Sequence, residues 1–243
     1  MAAREKVAEI LSSVRKDGRR VLLEHESKQV LRAWGVPTTR IKLVHNVEEA
    51  VRAAEELNYP VVMKIASPDI IHKSEAKGVK VGLGSESEVR QAFNEILANA
   101  KAYKPSAKII GVTIQEYVPP AREVMVGAVQ DPSFGATVMF GLGGIWAEVL
   151  KDISVRLAPI TAENARKMIS EIKGYPVLAG MRGQQPADID ALVEILQKVG
   201  QLAYEFPEIV EMDLNPIFVF DKGKGAIAVD ARIILKETNL DGH

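Results

Sequence analysis

Four strand-like runs follow one another closely after about residue 109, and their spacing limits the fold more than any other feature of the chain. The runs are KIIGVTIQEYV, REVMVGAVQ, GATVMFG and IWAEVLKD, and DPSFG forms a turn between the second and the third. Parallel neighbours need long crossover connections, whereas antiparallel neighbours need only short turns. The spacing therefore predicts an antiparallel sheet here.

Before residue 109 the chain alternates helical and strand-like patterns. Apolar residues at helical spacing predict one helix over about 7–14 and a second over about 24–34. TTRIKLV and YPVVMKIAS are typical of strands, and capping residues mark the starts of two further helices, Asn46 with Glu49 and Ser85 with Glu88. This part of the chain is therefore βαβ-like.

The last third is predicted to return to helices and then to a hairpin. Helices are expected at about 161–172 and 188–205, and EIVEMDLNPIFVF and GAIAVDARIIL are expected to pair across DKGKG. The overall prediction is an α+β (α/β) fold in two lobes, with a nucleotide in the cleft between them. The chain would form a single module over 1–243, with N-terminal helices over 1–35, lobe one over about 36–115 and lobe two over about 116–243.

Composition excludes several classes of function. The chain has 243 residues and a net charge of -1, so no overall basic field favours nucleic acid or an anionic membrane. It has no apolar run of roughly 20 residues and no cysteine, which excludes a spanning helix, disulfides, a thiolate metal site and a cysteine nucleophile. A cytoplasmic location is the default expectation.

Lys64 stands inside the apolar run VVMKIAS, where a lysine is costly to bury without a partner. It is either an edge-strand lysine whose head group reaches solvent or a phosphate-binding ammonium on a rigid strand. The stretch that follows, SPDIIHKSEAKGVKVGL, sets His72 among Lys73, Lys77 and Lys80. A lone histidine is usually structural, but these lysines favour an anion site in which the imidazole accepts a phosphoryl group. The other histidines, His25, His45 and His243, are assigned no role.

Two further segments have both a ligand-binding and an ordinary interpretation. Glu116 and Glu123 flank the stiff connector YVPPAR, whose backbone can bond an adenine edge while a carboxylate accepts bonds from a ribose; an exposed turn is the alternative. Gly141, Gly143 and Gly144 allow close approach to a ligand or serve a hairpin. They do not form a Walker loop, because no Gly-Lys-Ser/Thr follows.

The final hairpin carries a candidate metal site. Asp213 and Asn215 are two residues apart, so they share one face of a strand, and Asp230 on the partner strand can lie opposite them. Oxygen ligands of this kind suit Mg²⁺. A solvated polar face is the alternative, but the surrounding strands are strongly apolar, which favours a metal.

Together these segments resemble an ATP-grasp domain, and more closely the β subunit of archaeal ADP-forming acetyl-CoA (acyl-CoA) synthetases. The resemblance covers nearly the whole chain. It rests on WGVP, YPVVMKIASPDIIHKSEAKGVKVGL, IQEYVPPAREVMVGAVQDPSFGATVMFGLGGIWAEVLKDISVRLAPI, LAGMRGQQPADID and EMDLNPIFVF.

The resemblance implies roles for individual residues toward ATP or ADP and Mg²⁺. Lys64 would hold nucleotide phosphates, and backbone N–H groups of the loop through Gly78, Val79 and Lys80 would cover them. Glu116 and Val118 would contact the adenine and Glu123 the ribose. Asn215 and Asp230 would bind the metal, with Asp213 as a nearby supporter.

The resemblance also implies a partner and a phosphoryl carrier. In these synthetases acyl group, CoA and phosphate meet on an α subunit or domain that carries a phosphohistidine, and ADP takes the phosphoryl group on the ATP-grasp part. His72 matches the histidine of the family's HKS motif, a second phosphoryl carrier. An α partner is expected, because this chain shows neither a parallel βαβ domain for CoA nor a GxGxxG-type loop, and the resemblance implies an α2β2 assembly.

One departure from the family pattern concerns the HKS loop, where Lys77 stands in place of the first of two glycines. A further segment, EVLKDISVRLAP, carries Glu148, Asp152 and Arg156 at four-residue spacings, which would form one face of a helix. The resemblance places it near the transferred phosphoryl group, where Arg156 would bind phosphate and Glu148 would orient a histidine. Structural salt bridging is the alternative.

Two other functions remain open. An ATP-grasp carboxylate–amine ligase would make acyl phosphate directly and would not need His72. A non-catalytic nucleotide-sensing module would bind ADP or ATP without any phosphoryl exchange.

Overall fold

The computed structural model describes residues 2–144, 152–180, 183 and 185–237. Its helices are α1 Ala3–Lys16, α2 Glu24–Ala33, α3 Val47–Leu57, α4 Glu86–Tyr103, α5 Ala162–Glu171, α6 Tyr175–Ala179 and α7 Ile189–Glu205. Its strands are β1 Ile41–Val44, β2 Val61–Ala66, β3 Val79–Leu83, β4 Gly111–Glu116, β5 Arg122–Asp131, β6 Gly135–Leu142, β7 Ile153–Leu157, β8 Ile209–Val219, β9 Ala226–Ala228 and β10 Arg232–Leu235.

The described residues group into two compact units. The small unit comprises residues 23–25 and 39–119, and the large unit comprises the described residues within 1–22, 26–38 and 120–243. Among the described residues, no helix has both the length and the apolar composition that crossing a lipid bilayer requires.

The small unit is a four-stranded antiparallel sheet with two helices on one face. The strand order is β1-β4-β2-β3. Strands β1 and β2 both run antiparallel to β4, so they are parallel to each other with β4 between them, which explains the βαβ-like pattern of the sequence. Both capping predictions are confirmed, since the side chains of Asn46 and Ser85 accept the N–H groups of Glu49 and Glu88. Helices α3 and α4 cover the face that carries Met63 and Ile65.

The large unit is a six-stranded sheet of order β10-β8-β5-β6-β7, with β9 also paired to β8. All of these pairs are antiparallel, which confirms the antiparallel pairing predicted for REVMVGAVQ and GATVMFG. The first run of that prediction, KIIGVTIQEYV, instead forms β4 in the sheet of the small unit. Helix α7 buries its apolar stripe against β5, β6 and β8 in the main core, to which α1 and α5 also contribute.

The structure differs from the expectation in two places, and a third expectation is not tested. The expected final hairpin is broken, because β8 pairs with two separate strands, β9 and β10, instead of one. Strand β7 and the short helix α6 were not predicted. The strand expected at IWAEVLKD falls almost wholly on residues 145–151, which lie outside the described residues.

Candidate functional site

Lys64 lies in the interior strand β2, between β4 and β3, so it is not an edge lysine. Its side chain is only 7% exposed, and its ammonium group donates to Glu24 Oε1 at 2.7 Å. Because side chains alternate along a strand, Lys64 lies on the sheet face opposite Met63 and Ile65, away from the core formed with α3 and α4. A charge on this face requires a partner, and Glu24 supplies it.

Glu24 also binds a second lysine. Its other oxygen, Oε2, accepts from Lys73 Nζ at 2.7 Å, and the Glu24 side chain is 3% exposed. We call Glu24, Lys64 and Lys73 the two-lysine cluster. In this cluster two ammonium groups share one carboxylate, and ammonium groups are side chains that bind phosphate oxygens.

Sequence reasoning missed Glu24 as a site residue, because it appeared only as the start of a helix. Nothing local joins it to Lys64, forty positions further along the chain. The signal that was present was the buried lysine itself, since a lysine in an apolar strand predicts a carboxylate partner somewhere.

The predicted phosphate loop continues into strand β3. Val79 and Lys80 lie in β3, and their partners across the ladder are Lys64 and Met63 respectively. Directly opposed residues share a face, so Lys80 points to the helix side of the sheet. There its ammonium group lies 2.6 Å from Glu95 of α4. The structure thus separates the side chains of Lys64 and Lys80, and Lys73 is the lysine that joins Lys64.

Residues 70–78 form a compact loop that presents His72. The His72 side chain is 70% exposed, and its Nδ1 lies 3.9 Å from Glu75 Oε1. The N–H of Gly78 donates to the Lys73 carbonyl at 2.8 Å, so in this conformation it serves the loop itself and not the predicted role as an anion donor. A Cβ on Gly78 would come within 2.6 Å of Ile65, so only glycine fits here. Lys77 has a φ of 48°, a left-handed conformation that glycine adopts without cost.

The predicted adenine residues stand at the end of β4. The Glu116 carboxylate accepts from the backbone N and the Nε of Arg40, at 2.7 and 2.6 Å. The Glu116 N–H donates to the Arg40 carbonyl at 3.0 Å. Val118 follows the strand and is half-buried. Arg40 therefore fixes the direction in which the chain leaves the sheet.

In the large unit, two glycines surround Glu123, the predicted ribose residue on β5. Gly143 N–H donates to the Glu123 carbonyl at 2.9 Å. A Cβ on Gly144, which has a φ of 61°, would come within 2.6 Å of a Glu123 carboxylate oxygen. These glycines therefore allow a close approach of the backbone to Glu123, which is a third explanation beside the two that the sequence offered.

Two of the three predicted metal residues, Asn215 and Asp230, lie at one level of the large sheet. Asp213 pairs with Arg232 of β10, and Ile217 pairs with Ala228 of β9, in one common register. Asn215 is midway on β8 and Asp230 is midway on the other side, so the two come at the same level. The sequence predicted that Asp230 would be on a strand, but it lies in the break between β9 and β10.

The surroundings of Asp213 fit a cation. Burial raises the pKa of Asp213, Arg232 opposes this, and the neighbouring carboxylates of Glu211 and Asp230 raise it further. Arg232 itself pairs with Glu211 at 2.5 Å. Asp213, Asn215 and Asp230 offer the hard oxygen donors that Mg²⁺ prefers. No group of three or more His, Cys, Asp or Glu that could hold a metal occurs among the described residues, so a site here depends on the amide oxygen of Asn215.

Arg156 lies on β7, and Asp152 directly precedes this strand. Asp152 accepts from the N–H groups of Lys173 and Gly174 at 2.9 and 2.7 Å. Arg156 forms an ion pair with Glu171. These contacts agree with a structural role for Asp152 and Arg156, the alternative to a role at the phosphoryl group. Glu148 lies outside the described residues.

A model of the ATP-grasp domain family matches residues 13–235 of this chain. The β subunit of ADP-forming acetate–CoA ligase I from Pyrococcus furiosus is 53% identical over 230 residues, which cover 95% of this chain and 98% of that protein. The chain belongs to the ATP-grasp family, among the β subunits of archaeal ADP-forming acetate–CoA ligases.

Solved structures of the same family agree with this assignment. The dinucleotide-forming acetyl-coenzyme A synthetase 1 of Ca. Korarchaeum cryptofilum, in complex with coenzyme A, Ca-AMPCP and HgCl+, matches with a TM-score of 0.91 and 46% identity over 94% of this chain and 99% of that one. Another structure of that enzyme contains Mg-AMPPCP, with its phosphohistidine segment pointing towards the nucleotide binding site. It matches with a TM-score of 0.84 and 44% identity over 95% of this chain and all of that one. The ATP-grasp fold expected from the sequence is confirmed.

Proposed function

We propose that this chain is the nucleotide-binding β subunit of an ADP-forming acyl-CoA synthetase and transfers a phosphoryl group from phosphohistidine to ADP. The observation that carries the proposal is the two-lysine cluster next to the exposed His72. Lysine ammonium groups bind phosphate oxygens, and an exposed imidazole one residue before Lys73 can receive and release a phosphoryl group.

In the transfer step, an oxygen of the ADP β-phosphate attacks the phosphorus on His72. The new P–O bond forms as the P–N bond breaks, and its electron pair returns to the imidazole nitrogen. Lys64 holds the phosphate oxygens and offsets the charge that they carry in the transition state. The backbone of the loop through Gly78, Val79 and Lys80 covers the phosphates.

Further residues have the roles that the family resemblance implies. Glu116 and Val118 contact the adenine, and Glu123 accepts hydrogen bonds from the ribose. Asp213, Asn215 and Asp230 would hold Mg²⁺, which when bound neutralises charge on the phosphates. Arg156 remains a candidate phosphate ligand in competition with Glu171, Glu148 a candidate histidine-orienting residue, and Asp152 holds the turn at Lys173 and Gly174.

The proposal requires a partner. An α subunit would carry the CoA-binding domain and the first phosphohistidine, and would bring acyl-CoA and phosphate, in an α2β2 assembly. The names of the related β subunits support a separate α subunit. The phosphohistidine segment of the Korarchaeum enzyme supports the route of the phosphoryl group.

A phosphohistidine assay tests the proposal. The chain is incubated with γ-labelled ATP and Mg²⁺, with and without the α subunit of the same organism, as wild type, His72→Gln and the control His45→Gln. We expect acid-labile, base-stable label on wild type and on H45Q but not on H72Q. Label on the α subunit alone, unchanged in H72Q, would remove His72 from the route. An active enzyme whose turnover does not need His72 would favour an amine ligase, and nucleotide binding without any label would favour a sensing module.

A further inference from the structure

We propose that Glu24 is a positioning residue for phosphoryl transfer, which ties the His72 loop to the phosphate-binding strand through its two lysines. The inference rests on the proposed function of Lys64 and His72. Glu24 touches neither nucleotide nor phosphoryl group in this scheme and acts through Lys64 and Lys73.

The contacts of Glu24 use both of its oxygens. Oε1 binds Lys64 Nζ and Oε2 binds Lys73 Nζ, each at 2.7 Å. Lys64 is on the rigid strand β2, whereas Lys73 is in the loop that presents His72. Charge-assisted bonds with little solvent around them are the strong ones, so this carboxylate fixes the distance between strand and loop.

Lys73 is held at both ends. Its ammonium group binds Glu24, and its carbonyl accepts the N–H of Gly78 at 2.8 Å. The side chain of Lys73 is 22% exposed although lysine side chains normally extend into solvent. His72 is the preceding residue, so the backbone that carries the imidazole cannot move far while both contacts hold.

The carboxylate between the two ammonium groups also offsets part of the cost of burying Lys64. A shorter carboxylate at position 24 can still pair with one lysine but cannot span both. Aspartate therefore separates the two effects, since it retains the charge and loses the tether.

The experiment compares Glu24→Asp with Glu26→Asp, the same substitution two residues further along α2. Glu26 is a good control because its carboxylate is also held by two bonds, to Arg19 at 2.8 and 2.6 Å. Two quantities are measured on the complete enzyme with its α subunit: hydrogen exchange of the amides of residues 72–78, and the rate at which label leaves phospho-His72 for ADP. Lys73→Met and the double variant E24D/K73M complete the set.

We expect E24D to speed exchange in the loop and to slow label transfer, each by roughly tenfold, the factor that corresponds to one lost charge-assisted contact. E26D should stay within about twofold of wild type in both. The double variant should be no slower than K73M, because residues that act through one contact are not additive. If Glu24 had only a structural role, E24D and K73M would each slow label transfer in proportion to the stability that they lose, which thermal unfolding measures.

Two outcomes would overturn the proposal: unchanged loop exchange in E24D, or additive effects of E24D and K73M. The exchange measurement does not depend on catalysis. A wild-type enzyme that takes up no label would therefore sink the proposed function, while loop exchange would still decide whether Glu24 is the tether.

Discussion

The small and large units each carry a charged centre on a β-sheet, and the two centres are balanced in different ways. In the small unit the charge is a lysine on a buried sheet face, and its partner Glu24 comes from outside the sheet. In the large unit the charges are the carboxylates of Glu211, Asp213 and Asp230, and their partner Arg232 is on the adjacent strand in direct register with Asp213.

The difference follows from burial. The residues beside Lys64 on its own face include the buried Thr113, which has no charge to offer, so neutralisation must come from a distant segment. The acidic residues are only half-buried, so solvent and an arginine on the adjacent strand both contribute to balancing them. A fully buried charge thus depends on tertiary structure, whereas a half-buried one can be balanced by its neighbours in the sheet.

Replacing Lys64 with methionine should have the largest effect. The side chain keeps its volume but the phosphate-binding charge is lost, so we expect kcat/KM for ADP to fall by roughly 100-fold or more. Lys80→Met is the control, because Lys80 lies on the other face and pairs with Glu95. Steady-state kinetics of both variants checks this, and equal losses would contradict the assignment of faces.

Gly78→Ala should destabilise the small unit by about 1–3 kcal/mol, because its Cβ would overlap Ile65 at 2.6 Å. Gly84→Ala is the control, since the atom that its Cβ would meet lies 3.7 Å away. Denaturant unfolding gives both values. If the two variants unfold alike, the close packing of the His72 loop on β2 is not required.

Asp213→Asn should act on the other centre. We expect the Mg²⁺ concentration for half-maximal activity to rise by roughly tenfold, as for other residues that support metal ligands. The Lys64→Met variant should leave this concentration unchanged. A Mg²⁺ titration of activity distinguishes the two variants. If D213N had the wild-type Mg²⁺ requirement, the proposed metal site on this sheet would be wrong.

Asp188→Asn should lower stability by about 1 kcal/mol at neutral pH. Burial alone would raise the pKa of Asp188, but the backbone N–H groups of Gly225, Ala191 and Gly223 bring it below its ordinary value. A depressed carboxyl pKa stabilises the fold above the unfolded value of about 3.9, and this contribution is lost as pH falls through the folded pKa.

The difference in unfolding free energy between wild type and D188N should therefore disappear below about pH 4. Unfolding free energies over pH 3–7 check this sign, with Asp190→Asn as the control on an exposed ion pair. A gap that widens as pH falls would show that the turn between β8 and β9 does not depend on the Asp188 charge.

Lys77→Gly should have the smallest effect. Glycine relieves the left-handed conformation at a φ of 48° but adds freedom to the unfolded chain, so we expect a change of less than about 1 kcal/mol. Lys77→Val should cost more, because a β-branched residue rarely adopts this conformation. Chemical unfolding of the pair measures the difference, and equal stabilities would contradict the left-handed backbone.

The sequence by itself determined the features that rest on local chemistry. Capping at Asn46 and Ser85, the helices α3, α4 and α7 and the antiparallel succession of strands follow from spacing and side-chain type, which act within a few residues. The register of β9 on β8, which brings Asn215 and Asp230 to one level, also follows from the turn at DKGKG. The break in the strand at Asp230 does not.

The charges that meet are set by the tertiary structure. Lys64 and Lys80 are close in sequence, yet they lie on opposite faces of the sheet, because side chains alternate along each strand and Lys80 is opposite Met63, the neighbour of Lys64. Glu24 and Lys64 are far apart in sequence and form the buried pair. Burial raises the cost of an unpaired charge, and the fold satisfies it with a carboxylate that no local pattern could have indicated.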